Sequence, residues 1–297
     1  MTPLARTVLV VMALGSWSPG TAAGQPVSTA PECRPSGPLV RMPGVPEASG
    51  IAVSRSVPGR LWTLNDSGPP ELFALDTRGT VTARVRVPGA LVENWEALAV
   101  GPCPAGSCVY IADIGDNSAR RRRITIYRLT EPTGTSGFTG AIDAFHAIYP
   151  DGPKDAETLL LTPDGRLSIV TKGDTGLVAV YRFPRELRPG TLVQLERVGK
   201  PRPGTSARDD RVTDGAVSPD GAWVALRSRS AIVFYRTAEL MAGTWREVRR
   251  VSLAALGEPQ GEGIAFGDDQ TLYVTGESGM RGLGGTFGRL TCAPLRE

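Results

Sequence analysis

Glu47-Ala48-Ser49-Gly50-Ile51-Ala52-Val53, Glu96-Ala97-Leu98-Ala99-Val100, Glu157-Thr158-Leu159-Leu160-Leu161, Asp214-Gly215-Ala216-Val217 and Glu262-Gly263-Ile264-Ala265-Phe266 share one pattern: a carboxylate, then a short apolar run of strand character. The acids stand 49, 61, 57 and 48 residues apart. A recurrence near 50 residues, with several strands per unit, is the sequence signature of a β-propeller. A propeller brings the equivalent residue of every blade to one central axis. Five carboxylates far apart in the chain are therefore expected to face one another.

Working outward, each unit reads as four strands. The acid-led segment is the innermost. The second strand alternates with period two, as in Leu61-Trp62-Thr63-Leu64 and Leu272-Tyr273-Val274-Thr275. The third carries a Tyr-Arg pair at Tyr127-Arg128, Tyr181-Arg182 and Tyr235-Arg236, at intervals of 54 residues. The fourth strands fall near 81–87, 144–149, 192–198 and 246–253, with 132–140 and 201–210 as loops. The last unit runs out after three strands, and Pro38-Leu39-Val40-Arg41-Met42 is predicted to supply its fourth. The expected fold is all-β: a propeller of four-stranded blades, five-bladed or at most six-bladed, with an N-terminal strand closing the last blade.

Arg6 precedes the apolar stretch Val8-Leu9-Val10-Val11-Met12-Ala13-Leu14, and small residues follow at Thr21-Ala22-Ala23. This is a signal-peptide pattern over residues 1–23. It leaves 24–297 as one propeller domain, exported to the extracellular side and expected to be a monomer. No stretch approaches the ~20 apolar residues of a membrane span. The net charge of +3 is too small to argue for a nucleic-acid partner. The four cysteines fit an oxidising compartment. Cys103 and Cys108 flank the turn Pro104-Ala105-Gly106-Ser107 and are predicted to pair, leaving Cys33 for Cys292. A bond closing so long a loop contributes about 4–5 kcal/mol on the loop-entropy estimate.

In a propeller the loop entering the inner strand and the loop leaving the second strand open on the same face. Here the second strands end in Asn65-Asp66-Ser67-Gly68, Asp113-Ile114-Gly115-Asp116-Asn117, Thr171-Lys172-Gly173-Asp174, Arg227-Ser228-Arg229 and Glu277-Ser278-Gly279. One face thus collects the inner acids, further acids and amides, and Lys172 with Arg227. Clustered carboxylates stay ionised only when compensated, by protons or by a cation. A hard cation with oxygen ligands, Ca²⁺ first and Mg²⁺ or Mn²⁺ next, suits Glu47, Glu96, Glu157, Asp214 and Glu262. Glu47 precedes its strand by one residue more than the others do. The bland alternative is that these acids cap strand ends or bond neighbouring backbone. Lys172 and Arg227 either meet an anionic group or neutralise the acidic face. Trp95 reads mainly as core, the Arg120–Arg123 run as a solvated loop, and 276–288 as a glycine-rich loop without a phosphate-binding ending.

The absences narrow the chemistry. No Gly-x-Ser-x-Gly elbow occurs, and the single histidine, His146, falls in an outer strand. A Ser-His-Asp triad and histidine-rich metal sites are excluded.

The Glu-x-x-Gly opening at Glu47 and the Asp-Gly and Glu-Gly openings at Asp214 and Glu262 resemble the propellers of the gluconolactonase, senescence-marker protein and strictosidine-synthase-like superfamily. They also resemble the related esterase-like phytase and periplasmic calcium-binding propellers. The resemblance implies a divalent cation on the axis, held by acids that open inner strands. Glu47, Asp214 and Glu262 match directly, with Glu96 and Glu157 by the repeat. Those families are typically six-bladed, against five blades counted here.

Three functions follow as expectations. The first is a divalent-cation-dependent hydrolase of an ester, lactone or phosphoester. In it Glu157 or Asp113 is the base, and Lys172 or Arg227 stabilises developing negative charge. The second is a metal-free five-bladed glycoside hydrolase working with two of the acids. The third is a non-enzymatic binding or scaffold propeller with a structural cation. In each, a small-molecule or glycan ligand belongs on the acidic face.

Overall fold

The computed structural model describes residues 33–295 apart from 175, 269 and 280–282. The signal-peptide expectation, 1–23, lies outside the described residues. Among them, almost everything regular is strand, with one short helix, Thr237–Met241, and two 3₁₀ turns, Arg208–Asp210 and Ala254–Leu256. No helix is long and apolar enough to cross a membrane.

Five antiparallel blades form, as the 50-residue recurrence predicts. From the inside outward, blade 1 is Ala48–Val53, Arg60–Asn65, Glu71–Asp76 and Val81–Arg86. Blade 2 is Trp95–Cys103, Gly106–Asp113, Ile124–Thr130 and Ile142–Ile148. Blade 3 is Ala156–Leu161, Leu167–Thr171, Leu177–Arg182 and Glu196–Pro203. Blade 4 is Asp214–Val217, Trp223–Arg227, Ala231–Arg236 and Glu247–Ser252. Blade 5 is Gln260–Phe266, Thr271–Glu277 and Gly285–Cys292, completed from the other end of the chain.

That completion uses two short strands where the sequence suggests one. Val40–Met42 and Cys33–Pro35 both pair antiparallel with Gly285–Cys292. Cys33 lies opposite Cys292 in this register, and the two are disulfide-bonded. The second disulfide joins Cys103 to Cys108 across the predicted hairpin.

The outer edges depart from expectation. The segment 192–198 reads as one strand but holds two. Leu192–Gln194 adds in parallel to the outer strand of blade 2, and Glu196–Pro203 closes blade 3. Leu195 between them is buried, so an apolar residue bridges the two strands and the segment reads as continuous. Ser136–Phe138, inside a predicted loop, likewise adds in parallel to blade 1.

The core is a set of apolar layers between neighbouring blades. Trp62, Leu72 and Trp95 pack with Ile111 between blades 1 and 2. Met42, Phe73 and Phe287 fill the junction of blades 5 and 1. Burying one such side chain contributes about 1.5–3 kcal/mol. Nearest the axis there is little room. A Cβ on Gly50 would lie 2.7 Å from the backbone nitrogen of Leu98, so blades 1 and 2 meet there only over a glycine.

Candidate functional site

The inner strands do not run straight past their acids. In blade 2 the pairing with the second strand jumps between Trp95 and Ala97, leaving Glu96 unpaired in a β-bulge. The same irregularity falls on Glu157 between Ala156 and Thr158, and on Glu262 between Gly261 and Ile264. In blade 1 it falls on Ser49 and Gly50, between Ala48 and Ile51. A bulge re-aims the residue it carries. The outcome is a cavity of about 340 Å³ at the axis, lined by Glu96, Glu157 and Glu262.

Two of the five repeat acids are not brought there. The bulge of blade 1 carries Ser49, whose hydroxyl donates to the carbonyl oxygen of Glu96 at 2.7 Å. Glu47 lies two residues earlier and accepts a hydrogen bond from the Ser67 hydroxyl. Blade 4 has no bulge between its two inner strands, where Asp214 pairs in regular register with Arg227. Its carboxylate therefore stays buried in the sheet and accepts from the backbone N–H of Ile264 at 2.9 Å.

The ends of the second strands supply the rest of the wall, namely Asp66, Asn117, Lys172, Arg229 and Glu277. Lys172 Nζ contacts Glu157 Oε1 and lies 3.4 Å from Asp155 Oδ2. Asp155, itself buried, accepts at Oδ1 from the backbone N–H of Asp116 at 2.7 Å. Arg229 pairs with Glu262 at 3.2 Å. Arg208, Arg211, Thr213 and Gln260 complete the lining.

Burial sets the proton affinities. It pushes Glu96 well above the usual carboxylate range, and the nearby Glu157 charge adds to the effect. Burial also raises Glu157, with Lys172 pulling in the opposite direction. Lys172 is itself desolvated, but Glu157 and Asp155 more than compensate and hold its proton on. Burial and Glu47 push Asp66 up to about 7. Burial and Glu262 bring Glu277 to about 6. Glu157 Oε2 and Asp66 Oδ1 are buried without a hydrogen-bond partner among the described residues.

Of the sequence-derived catalytic candidates, Glu157 and Lys172 line the cavity, whereas Asp113 and Arg227 do not. Asp113 is buried behind it, accepting from the Asn94 N–H at 2.9 Å and from Arg121 Nη1 at 2.9 Å. Arg227 is fully buried. It donates to the carbonyl oxygens of Gly263 and Thr275 at 2.6 and 3.1 Å and pairs with Glu258. Trp95 is core, its ring N–H donating to Leu91 O at 2.9 Å.

A divalent cation was expected to compensate the axial acids. Among the described residues, no three acidic, histidine or cysteine side chains gather as a donor shell. The place between Asp155 and Glu157 is taken by the Lys172 ammonium, and Arg229 stands on Glu262. Protein cations and raised carboxyl pKa values already balance this cluster. Its donors do not fit a divalent ion without displacing Lys172.

Sequence reading placed Asp66, Asn117, Arg229 and Glu277 at strand ends facing this side. It missed Arg208, Arg211 and Asp155, which sit in connecting segments where strand periodicity carries no signal.

No protein-family model matches the chain, and no curated protein matches it by sequence. Solved structures do match in fold. The PQQ-bound aldose sugar dehydrogenase of Streptomyces coelicolor superposes with a TM-score of 0.52 at 10% identity, covering 87% of this chain and 97% of that one. A gluconolactonase of Xanthomonas campestris gives 0.46 at 14% identity, covering 82% and 72%. This chain has the propeller fold, similar to that of the sugar dehydrogenase. At these identities the likeness is one of fold, and function rests on the site.

Proposed function

We propose that this protein is an exported propeller hydrolase of a small polar ester, lactone or phosphoester, acting in the axial cavity as a monomer. The observation that carries the reading is the contact of the Lys172 ammonium with Glu157 in a cavity walled by buried carboxyls. Glu157 is the base. Its Oε2 has no hydrogen-bond partner among the described residues and is placed to take a proton from an attacking water. Lys172 keeps its charge and faces the negative charge that develops on the reacting oxygen. Glu96, whose proton affinity burial raises, donates to the leaving oxygen. Lys172 takes the part that a divalent cation was expected to play. Two disulfides and the leader pattern of residues 1–23 support export.

The test is a screen of lactones, carboxylic esters and aryl phosphoesters with and without chelator. Turnover is expected to survive chelation and to fall by about 10²–10⁴-fold in Glu157→Gln and Lys172→Met. No turnover of any of the three classes, or variants as active as the parent, overturns the reading. A second reading, a metal-free glycoside hydrolase, is favoured by Glu96 and Glu157, two buried carboxyls that line one cavity and influence each other, since such a pair can divide acid and base roles. Glycan hydrolysis in the presence of chelator distinguishes it.

A further inference from the structure

The basic side chains around the axial site are mostly committed to acids. Lys172 is paired with Glu157, Arg229 with Glu262, and Arg227 with Glu258. Behind the cavity Arg121 is paired with Asp113 and Glu93. Arg208 and Arg211 differ. Both line the cavity, yet neither forms an ion pair among the described residues. Among the described residues the only hydrogen bond of the Arg211 guanidinium runs from Nη2 to Ser206 O at 3.4 Å, and its Nε is buried without a partner.

These guanidiniums are carried by a pinned segment. The Ser230 N–H donates to Asp209 O at 2.9 Å, and the Ser230 hydroxyl donates to Asp210 Oδ1 at 2.5 Å, so blade 4 holds one side. The Val212 N–H donates to the carbonyl oxygen of Lys172 at 3.1 Å, so blade 3 holds the other. The backbone thus fixes Arg211 one residue from a bond to Lys172 itself. The acids of the wall do not account for the pair. Glu277 responds chiefly to burial, Glu262, Arg229 and Glu47, and Asp66 to burial, Glu47 and Glu277.

Planar guanidinium donors without a carboxylate partner match a carboxylate or phosphate, which they bind through two parallel hydrogen bonds. We infer that the ligand of the axial cavity carries an anionic group, a carboxylate or a phosphate, held by Arg208 and Arg211 while its neutral polar end reaches Lys172. The cavity of about 340 Å³ limits the ligand to the size of a sugar acid or sugar phosphate. The choice of reacting bond rests on the hydrolase reading, whereas the anion clamp does not.

The test is calorimetric titration of the whole chain, at constant ionic strength, with inorganic phosphate, with glucarate and with the neutral polyol glucitol. An anion is expected to bind, glucitol to bind far more weakly, and Arg208→Gln/Arg211→Gln to weaken the anion about 10-fold or more. Heat from phosphate alone, or from glucarate alone, identifies which anion is taken. An unchanged melting temperature of the double variant shows that it folds. No anion binding, or equal binding by the double variant, overturns the inference. Anion binding without ester, lactone or phosphoester turnover keeps it and removes the hydrolase reading. Turnover of an ester or lactone bearing a carboxylate or phosphate, with kcat/KM unchanged in the double variant, keeps the hydrolase and overturns the clamp.

Discussion

Asp214 in blade 4 accepts a hydrogen bond from the backbone N–H of Ile264 in blade 5 at 2.9 Å. It is one stitch in a series. The Thr213 hydroxyl donates to Glu262 O at 3.1 Å, the Thr275 hydroxyl to Ser49 O at 3.0 Å, and the Ser49 hydroxyl to Glu96 O at 2.7 Å. Polar side chains at the openings of the inner strands therefore divide into two groups. Some reach the cavity, and others sew adjacent blades together.

Asp214 belongs to the second group. Asp214→Ala leaves the Ile264 N–H buried without an acceptor, at a cost of about 1–3 kcal/mol. Urea unfolding is expected to show that loss, while ligand binding in the axial cavity stays at the parental level. A variant of parental stability that no longer binds would place Asp214 in the site instead.

Arg227 is expected to act on stability too. Arg227→Met strands Glu258 as a buried, unpaired acid, and breaking such a pair costs about 3–5 kcal/mol. Arg227→Met/Glu258→Leu removes both charges and is expected to recover most of the loss in the same unfolding experiment. A double variant no more stable than the single one would contradict this.

The pH dependence follows from Asp66 and Glu277. Their carboxyls are raised to about 7 and about 6, from ordinary values of 3.8 and 4.5. Between the ordinary and the raised values the folded chain binds more protons than the unfolded one, so these groups withdraw stability as pH climbs. Asp66→Asn is expected to gain on the parent in melting temperature from about pH 4 to about pH 7, with the difference level above that. A difference that shrinks over this window would reverse the sign.

The two disulfides are expected to contribute unequally. Loss of Cys33–Cys292, which spans 259 residues, costs about 4–5 kcal/mol on loop entropy. Loss of Cys103–Cys108, which spans 5, costs about 2 kcal/mol. Paired Cys→Ser variants compared by denaturant midpoint check the order.

Gly50→Ala drives a Cβ into the backbone of Leu98. Overpacking of this kind costs about 1–3 kcal/mol, and the loss should appear in the melting temperature. A neutral effect would mean that blades 1 and 2 can part without penalty.

The fold was legible because the recurrence of an acid before a strand is a long-range signal that survives errors in any single strand. Cys33 and Cys292 could be paired because Cys103 and Cys108 already flanked a turn. The site was legible only in part. Glu96, Glu157 and Glu262 reach the cavity through bulges, and a bulge is a feature of pairing between two strands that one strand's residues do not announce. Asp214 looks identical in sequence, but its regular pairing with Arg227 keeps it in the sheet. Arg227 looked available because burial at a strand end depends on what the next blade lays over it. Arg208 and Arg211 lie in a connection whose position is set by Ser230 and Lys172, both distant in pattern.

Among the described residues the strands Cys33–Pro35 and Val40–Met42 have no partner strand other than Gly285–Cys292. During synthesis these two strands must therefore wait for the far end of the propeller. Four blades can assemble in order behind them, but the ring stays open, with the Cys33 thiol unspent, until the opposite end of the chain arrives. A waiting strand is an open edge available to other chains. The slowest and most aggregation-sensitive stage of this protein's life is then the interval between emergence and ring closure, and an oxidant acting on Cys33 and Cys292 ends it.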